Sequence, residues 1–583
     1  MDPNQGGSSG YGQAPTTVPQ ATVVPVGNQW APGVSPVAVS PGSRRLRWGV
    51  AGAVVLCVTL VTAGGVFVLS GAAGAKSLTA SVVPKNAVAF LEIRTDLPGD
   101  QHAQLADFLS HFPGFKDRAQ FDTAMDNLLN KLTGGISPDL QYTSAFKPWM
   151  EGEVSMAAMV VGGQPASTAP AAVAIFALKD RAAAQTWISG ELTRIGALTS
   201  PQAYAGTTLY TTGAGIGEGA YAFTDQDLLL GTVAGVKAAL DTRTNGSLAD
   251  SSNYQAAMKS LSGDSLARFY LDPKTLMTNA LAAGGTSMGS MMGIGGMSGS
   301  LLGASTTGMP AWIGGSVRAE QSQMVVTVVM PRPAGSGQDN HVSRLALDLP
   351  GSTVGAFELH SLGKAITDGL AALPSQLPAS AGGSLKSIND ALAQIGGIGW
   401  LGDGVAAVTR NGATYGGGVV VEAPDATTAS AKVALIDNYA TLASAALHIT
   451  NRDETYKGTD IRVISVPDGA GKPFDIAVAA KGNLIVAGYT DAFVKEVIDT
   501  TPSTALAAQP DYSAVIAAAG SSSDQSMYVN IPALEDQIGQ AFITSNPTRW
   551  TQDYKPYFDH LGGVGYSVVD GNMVTLRVVV TAK

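Results

Sequence analysis

The residues that could do chemistry are few in this 583-residue chain. Gly285-Thr286-Ser287-Met288-Gly289 matches the G-x-S-x-G elbow, in which a tight strand-to-helix turn exposes a serine nucleophile. Here Gly and Ser crowd both sides and no Asp or His partner is placed by any motif, so the match predicts a loop. The paired acids Glu151 and Glu153 could serve a glycosidase, which needs two carboxylates at a defined separation. Standing at the mouth of a strand, they read as solvated edge residues. His102, His111, His341, His360, His448 and His560 are scattered singly, and none has a second histidine at i+3 or i+4. No metal site of the zinc-protease kind, no P-loop and no Rossmann glycine pattern is expected, and hence no cofactor. Trp149 and Trp400 could stack on a sugar, but each reads as a core plug.

The stretch from Thr275 to Val317 is uncharged and contains Met277, Met288, Met291, Met292, Met297 and Met309. Its Gly and Ser content argues against a second membrane span. Flexible thioethers adapt to irregular apolar surfaces, which makes Met288, Met291, Met292 and Met297 the candidate ligand or membrane contacts.

The elements that must position these residues begin with an anchor. Trp48 to Ala75 carries no charge, and an apolar helix over residues 48–70 would cross a hydrocarbon core of roughly 30 Å. Arg44, Arg45 and Arg47 precede it, so the positive-inside bias places the N-terminus in the cytoplasm and the remainder outside. Ala73-Gly74-Ala75 resembles a cleavage site, but the long apolar run and its leader favour an uncleaved anchor. Residues 1–43, with seven Pro, seven Gly and one charge, read as a disordered tail. The single cysteine, Cys57, falls in the apolar run and leaves the exterior part without disulfides. A net charge of −10 without basic runs excludes a nucleic-acid partner.

Beyond the anchor, landmarks recur in the same order. Val83-Pro84 is echoed by Leu349-Pro350, Glu92 by Glu358, and Trp149–Val154 by Trp400–Val405. Val236-Lys237 is echoed by Val494-Lys495, Tyr254 by Tyr512, and Tyr270 by Tyr528. This predicts two homologous α+β domains with mainly antiparallel sheets, residues 79–336 and 344–583, joined near 333–338. Asp180 and Asp425 are expected to cap helices with apolar faces of Ala184, Trp187, Ile188, Leu192 and Ile195, and of Leu435, Ile436, Tyr439 and Leu442. Each copy ends in a hairpin, Ile313–Arg318 with Met324–Val329 and Gly563–Val569 with Met573–Val580.

The Pro-rich leader, the anchor, Val82-Val83-Pro84-Lys85-Asn86-Ala87-Val88, Asp96-Leu97-Pro98-Gly99 and Phe112-Pro113-Gly114-Phe115 together resemble the actinobacterial membrane proteins of domain-of-unknown-function family 3352. The resemblance implies an envelope protein of the same topology and supplies no site residues. The expectation is a single-pass, non-enzymatic envelope protein whose exterior domains bind a lipid, wall polymer or protein partner. The alternative is an exterior hydrolase using Ser287 or the acids near Glu151.

Overall fold

The computed structural model describes residues 77–97, 99–160, 171–213, 219–282, 309–332, 339–372, 397–447, 449–467, 473–543, 548 and 550–583. By backbone contacts the chain divides into Met1–Arg44 and Arg45–Lys583, and all described residues fall in the second part. The tail, Arg44, Arg45, Arg47, the apolar run 48–70, Ser287 and Met288, Met291, Met292 and Met297 lie outside the described residues. Among the described residues no helix is long and apolar enough to cross a membrane.

The class is α+β with antiparallel strand pairing. In the first half the strands are β1 (Ala87–Arg94), β2 (Met150–Met159), β3 (Ala171–Leu178), β4 (Thr199–Tyr204), β5 (Thr207–Thr212), β6 (Gly219–Phe223), β7 (Asp227–Thr232), β8 (Ala267–Leu271), β9 (Ile313–Glu320) and β10 (Gln323–Pro331). In the second they are β11 (His341–Val342), β12 (Thr353–Leu359), β13 (Gly404–Asn411), β14 (Thr414–Glu422), β15 (Thr450–Tyr456), β16 (Thr459–Pro467), β17 (Pro473–Lys481), β18 (Leu484–Gly488), β19 (Ser522–Ser523), β20 (Gln525–Asn530), β21 (Leu561–Asp570) and β22 (Met573–Ala582).

Twenty of these strands form one sheet, and the short β11 and β19 pair by themselves. The first half runs β4-β5-β6-β7-β3-β2-β1-β8-β9-β10. The second runs β15-β16-β17-β18-β14-β13-β12-β20-β21-β22. The halves meet where β10 pairs with β22 from Gln323↔Thr581 to Pro331↔Met573, with Thr327 opposite Arg577. They are therefore joined by a continuous hydrogen-bonded ladder as well as by the chain near 333–338. Each would otherwise present an unpaired edge strand there.

Local signals explain the hairpins. Ala205-Gly206 and Lys457-Gly458 both take positive φ, as the two-residue turns between β4 and β5 and between β15 and β16 require. Asp180 Oδ1 accepts from Ala183 N at 2.9 Å and Asp425 Oδ1 from Thr428 N at 2.7 Å, so both expected caps form. The helix Arg181–Arg194 buries Ala184 and Ile188 and packs Trp187 and Leu192 against the core. The helix Ala426–Leu447 departs from expectation. It buries Ala429 and Ala440 and leaves Ile436, Tyr439 and Leu442 exposed, because small residues permit the closer approach to the sheet.

Paired contacts recur across the halves. Pro84 bridges Ser247 and Pro350 bridges Ala505. Tyr204 Oη donates to Asp241 and Tyr456 Oη to Asp499, each at 2.8 Å. Lys237 lies over the Tyr204 ring and Lys495 over that of Tyr456. The rings of Tyr254 and Tyr270 meet edge-on at 5.7 Å, and those of Tyr512 and Tyr528 at 5.2 Å.

Candidate functional site

A polar row crosses the centre of this sheet. Cross-strand partners share a face, and the register runs Ser155–Glu92–Arg268–Ser316–Thr327–Arg577–Ser567–Ser526–Glu358 over nine adjacent strands. All but Thr327 and Arg577 are buried. Uncompensated polar groups at such depth are costly, so each end of the row gathers partners, and the two ends solve the problem differently.

At the first-half end, Glu153 is fully buried. Its Oε1 accepts from Ser77 Oγ at 2.9 Å, Thr79 N at 2.9 Å and Thr79 Oγ1 at 2.7 Å. Its Oε2 accepts from Leu78 N at 3.0 Å and Arg94 Nη1 at 2.9 Å. Five donors occupy this carboxylate, which ties the start of the described chain to β2. The expectation of a solvated edge holds for Glu151, which is exposed, and fails for Glu153. Gly152, at φ +101°, bends the strand and turns Glu153 inward, and a Cβ there would lie 2.7 Å from that of Asp96.

Glu92 lies beside this pair, 4.0 Å from Arg94 Nη1, and its Oε2 has no hydrogen-bond partner. Burial, then the charge of Glu153, pushes its carboxyl up to about 7 against the opposing pull of Arg268 and Arg94. Burial likewise pushes Asp227 up to about 6. Arg268 Nε donates to Ser265 Oγ at 2.8 Å.

At the second-half end, Glu358 and His360 occupy the places that Glu92 and Arg94 hold on β1. Asp403 precedes Gly404, which pairs with Leu359, and so takes the place of Glu153 opposite Arg94. The strand register therefore corrects the alignment of Trp149–Val154 with Trp400–Val405 by one residue. The bulge between Met150 and Val154 accounts for the shift.

His341, on β11, closes this second cluster. Its Nε2 lies 2.6 Å from Asp403 Oδ2 and its Nδ1 3.8 Å from Asp339 Oδ2. The rings of His341 and His360 stack with centroids 3.7 Å apart and planes 13° apart. Asp403 Oδ1 accepts from Ser361 N at 3.1 Å. His360 Nε2 and Glu358 Oε1 form a 3.3 Å ion contact without hydrogen-bond geometry, and His360 Nδ1 makes no hydrogen bond. Ser526 stands where the first half has Arg268.

Among the described residues the histidines expected to be isolated are brought together in one case, His341 with His360, and His448 lies outside them. Their separation of 19 positions has no helical periodicity, and the available signal was the Glu-x-His at the end of β12 matching Glu-x-Arg on β1. His102 is exposed and pairs with Asp122. Trp149 is a core plug, donating from Nε1 to Ala145 O at 2.6 Å. Trp400 is half-buried beneath Lys432.

A hydrophobic surface lies on the opposite face of the same sheet. Phe357, Ala406 and Val419 are exposed neighbours across β12, β13 and β14, and Val408 stands two residues along β13.

No curated protein matches the chain. Crystal forms III and I of TP0453 align at 8% identity over 46% of this chain and 90% and 89% of theirs, with a TM-score of 0.22, too slight a likeness to carry any argument. A family described as "Protein of unknown function (DUF3352)" matches residues 50–291. Over that stretch, less than half of its length, the chain is similar to this family.

Proposed function

We propose that the chain is a single-pass, membrane-anchored protein of the cell envelope whose exterior part is two copies of one α+β unit and binds an apolar partner without catalysing a reaction. The three arginines before the uncharged run support the anchor and its orientation. The duplication is supported by the identical order of ten strands in each half and by the meeting of Thr327 with Arg577, about which the β10–β22 pairing is symmetric. That geometry is the intramolecular counterpart of a two-fold dimer joined through edge strands.

The observation that carries the binding role is the row Phe357–Ala406–Val419 with Val408. The three large side chains are 40–44% exposed on a sheet face of a chain otherwise rich in small residues. A lipid acyl chain or an apolar stretch of wall polymer fits such a face. Glu153, saturated by five donors, supports a structural role for the acids near Glu151 over a glycosidase pair.

Native mass spectrometry of the full chain extracted from its membrane tests the reading. A retained lipid or polymer fragment is expected, and it should be reduced at least fivefold in a Phe357→Ser, Val419→Ser double variant that keeps its circular dichroism spectrum. No adduct, or an adduct indifferent to the two changes, would remove this surface from the proposal. The orientation is tested by a reporter fused after Lys583, which should be active only outside the cytoplasm. Activity inside would reverse the topology.

A further inference from the structure

We propose that His341, His360 and Asp403, with Glu358 as a fourth donor, bind one divalent cation of the zinc class. One ligand atom from each of His341, His360 and Asp403 lies within 4.8 Å of the other two. Two imidazoles and two carboxylates form a donor set that suits tetrahedral zinc, whose bonds to nitrogen and oxygen are about 2.0–2.2 Å long.

Two further observations point to a cation. The first is the unmet bonding capacity at the centre. His360 is 3% exposed and Glu358 4%, yet His360 Nδ1 makes no hydrogen bond, and His360 Nε2 and Glu358 Oε1 have only a 3.3 Å contact with each other that lacks hydrogen-bond geometry. Groups this deep are ordinarily paired. The second is charge. At the equivalent first-half position, Glu92 and Glu153 face two guanidinium groups, Arg94, which also pairs with Asp96, and Arg268. The second-half cluster keeps both carboxylates, as Glu358 and Asp403, but has His360 in place of Arg94 and Ser526 in place of Arg268. Among the described residues no guanidinium therefore pairs with either carboxylate of this cluster. A single divalent ion neutralises both.

The surroundings serve a metal as well. Ser361 N holds Asp403 Oδ1 and leaves Oδ2 directed at the imidazoles. Asp339, near His341 Nδ1, can orient that ring in the manner of a carboxylate behind a ligating histidine. The His341 side chain is 22% exposed, which gives an ion a route in.

The test uses the full chain in detergent, stripped with a chelator and titrated with Zn2+ in a thermal-unfolding assay and with Co2+ in the visible spectrum. One equivalent of Co2+ should produce ligand-field bands between about 500 and 650 nm, and Zn2+ should displace it and raise the unfolding midpoint. His341→Ala and Asp403→Asn should each weaken Co2+ binding at least tenfold, while His102→Ala, which alters an exposed histidine elsewhere, should leave it unchanged. Absence of bands and of a Zn2+-dependent rise in the midpoint in the unsubstituted chain overturns the proposal whatever the variants do. Binding of undiminished strength in a folded His341→Ala variant also overturns it, because the metal would then sit elsewhere.

Discussion

Replacing Glu92 by Gln removes a buried acid while keeping its shape, and the consequence depends on pH with a definite sign. Folding raises the Glu92 carboxyl from an ordinary 4.5 to about 7, through burial first and the charge of Glu153 second. Between those values the folded chain holds a proton that the unfolded chain releases. The native state is therefore favoured fully below about 4.5, and the advantage is lost as pH rises through about 7. A tenfold change in proton affinity corresponds to about 1.4 kcal/mol, so ionising Glu92 costs on the order of 3 kcal/mol by neutral pH. Urea unfolding followed by tryptophan fluorescence, run on both proteins from pH 4.5 to 7.5, isolates the effect as their difference. Contributions shared by both, such as Asp227, cancel. Near pH 4.5 the two should agree within about 1 kcal/mol, and by pH 7.5 Glu92→Gln should be the more stable by about 2–3 kcal/mol. A difference independent of pH, or a variant that falls further behind as pH rises, would refute the argument. The latter would mean that the two arginines hold Glu92 ionised in the fold.

Glu153→Ala should be far more damaging, because it strands the donors of Ser77, Leu78 and Thr79 and takes from Arg94 the acceptor of Nη1, leaving that side chain with Asp96 alone. A loss of about 3–5 kcal/mol is expected in the same urea assay, with faster hydrogen exchange at Leu78 and Thr79; a loss below about 1 kcal/mol would show that the carboxylate is not the anchor. Tyr204→Phe and Tyr456→Phe each remove one 2.8 Å hydrogen bond to an aspartate. Both should lower the urea midpoint, and a loss in one variant alone would break the equivalence of the two contacts.

Much of the fold was legible because it rests on short-range chemistry. Asp180 and Asp425 cap their helices through backbone donors three residues on, and the terminal hairpins form where apolar runs flank a two-residue turn. The ordered landmarks could be read because Val83-Pro84, Tyr254 and Tyr270 each sit in a contact that Leu349-Pro350, Tyr512 and Tyr528 repeat. The face of the helix Ala426–Leu447 was misread because hydrophobicity favours Ile436, Tyr439 and Leu442, whereas close packing on the sheet selects Ala429 and Ala440.

The sequence by itself determined the local elements, their class and the order in which similar elements recur, since each depends on residues close together in the chain. Only the tertiary structure decided which polar residues meet. Ser155, Glu92, Arg268, Ser316, Thr327, Arg577, Ser567, Ser526 and Glu358 come from nine strands, and nothing in their spacing marks them as one row. Register across antiparallel neighbours aligns them, and a slip of one residue would turn any of them to the opposite face. The same physics buries Glu153 while Glu151 stays exposed, and sets His341 on His360 from two elements that share no periodicity.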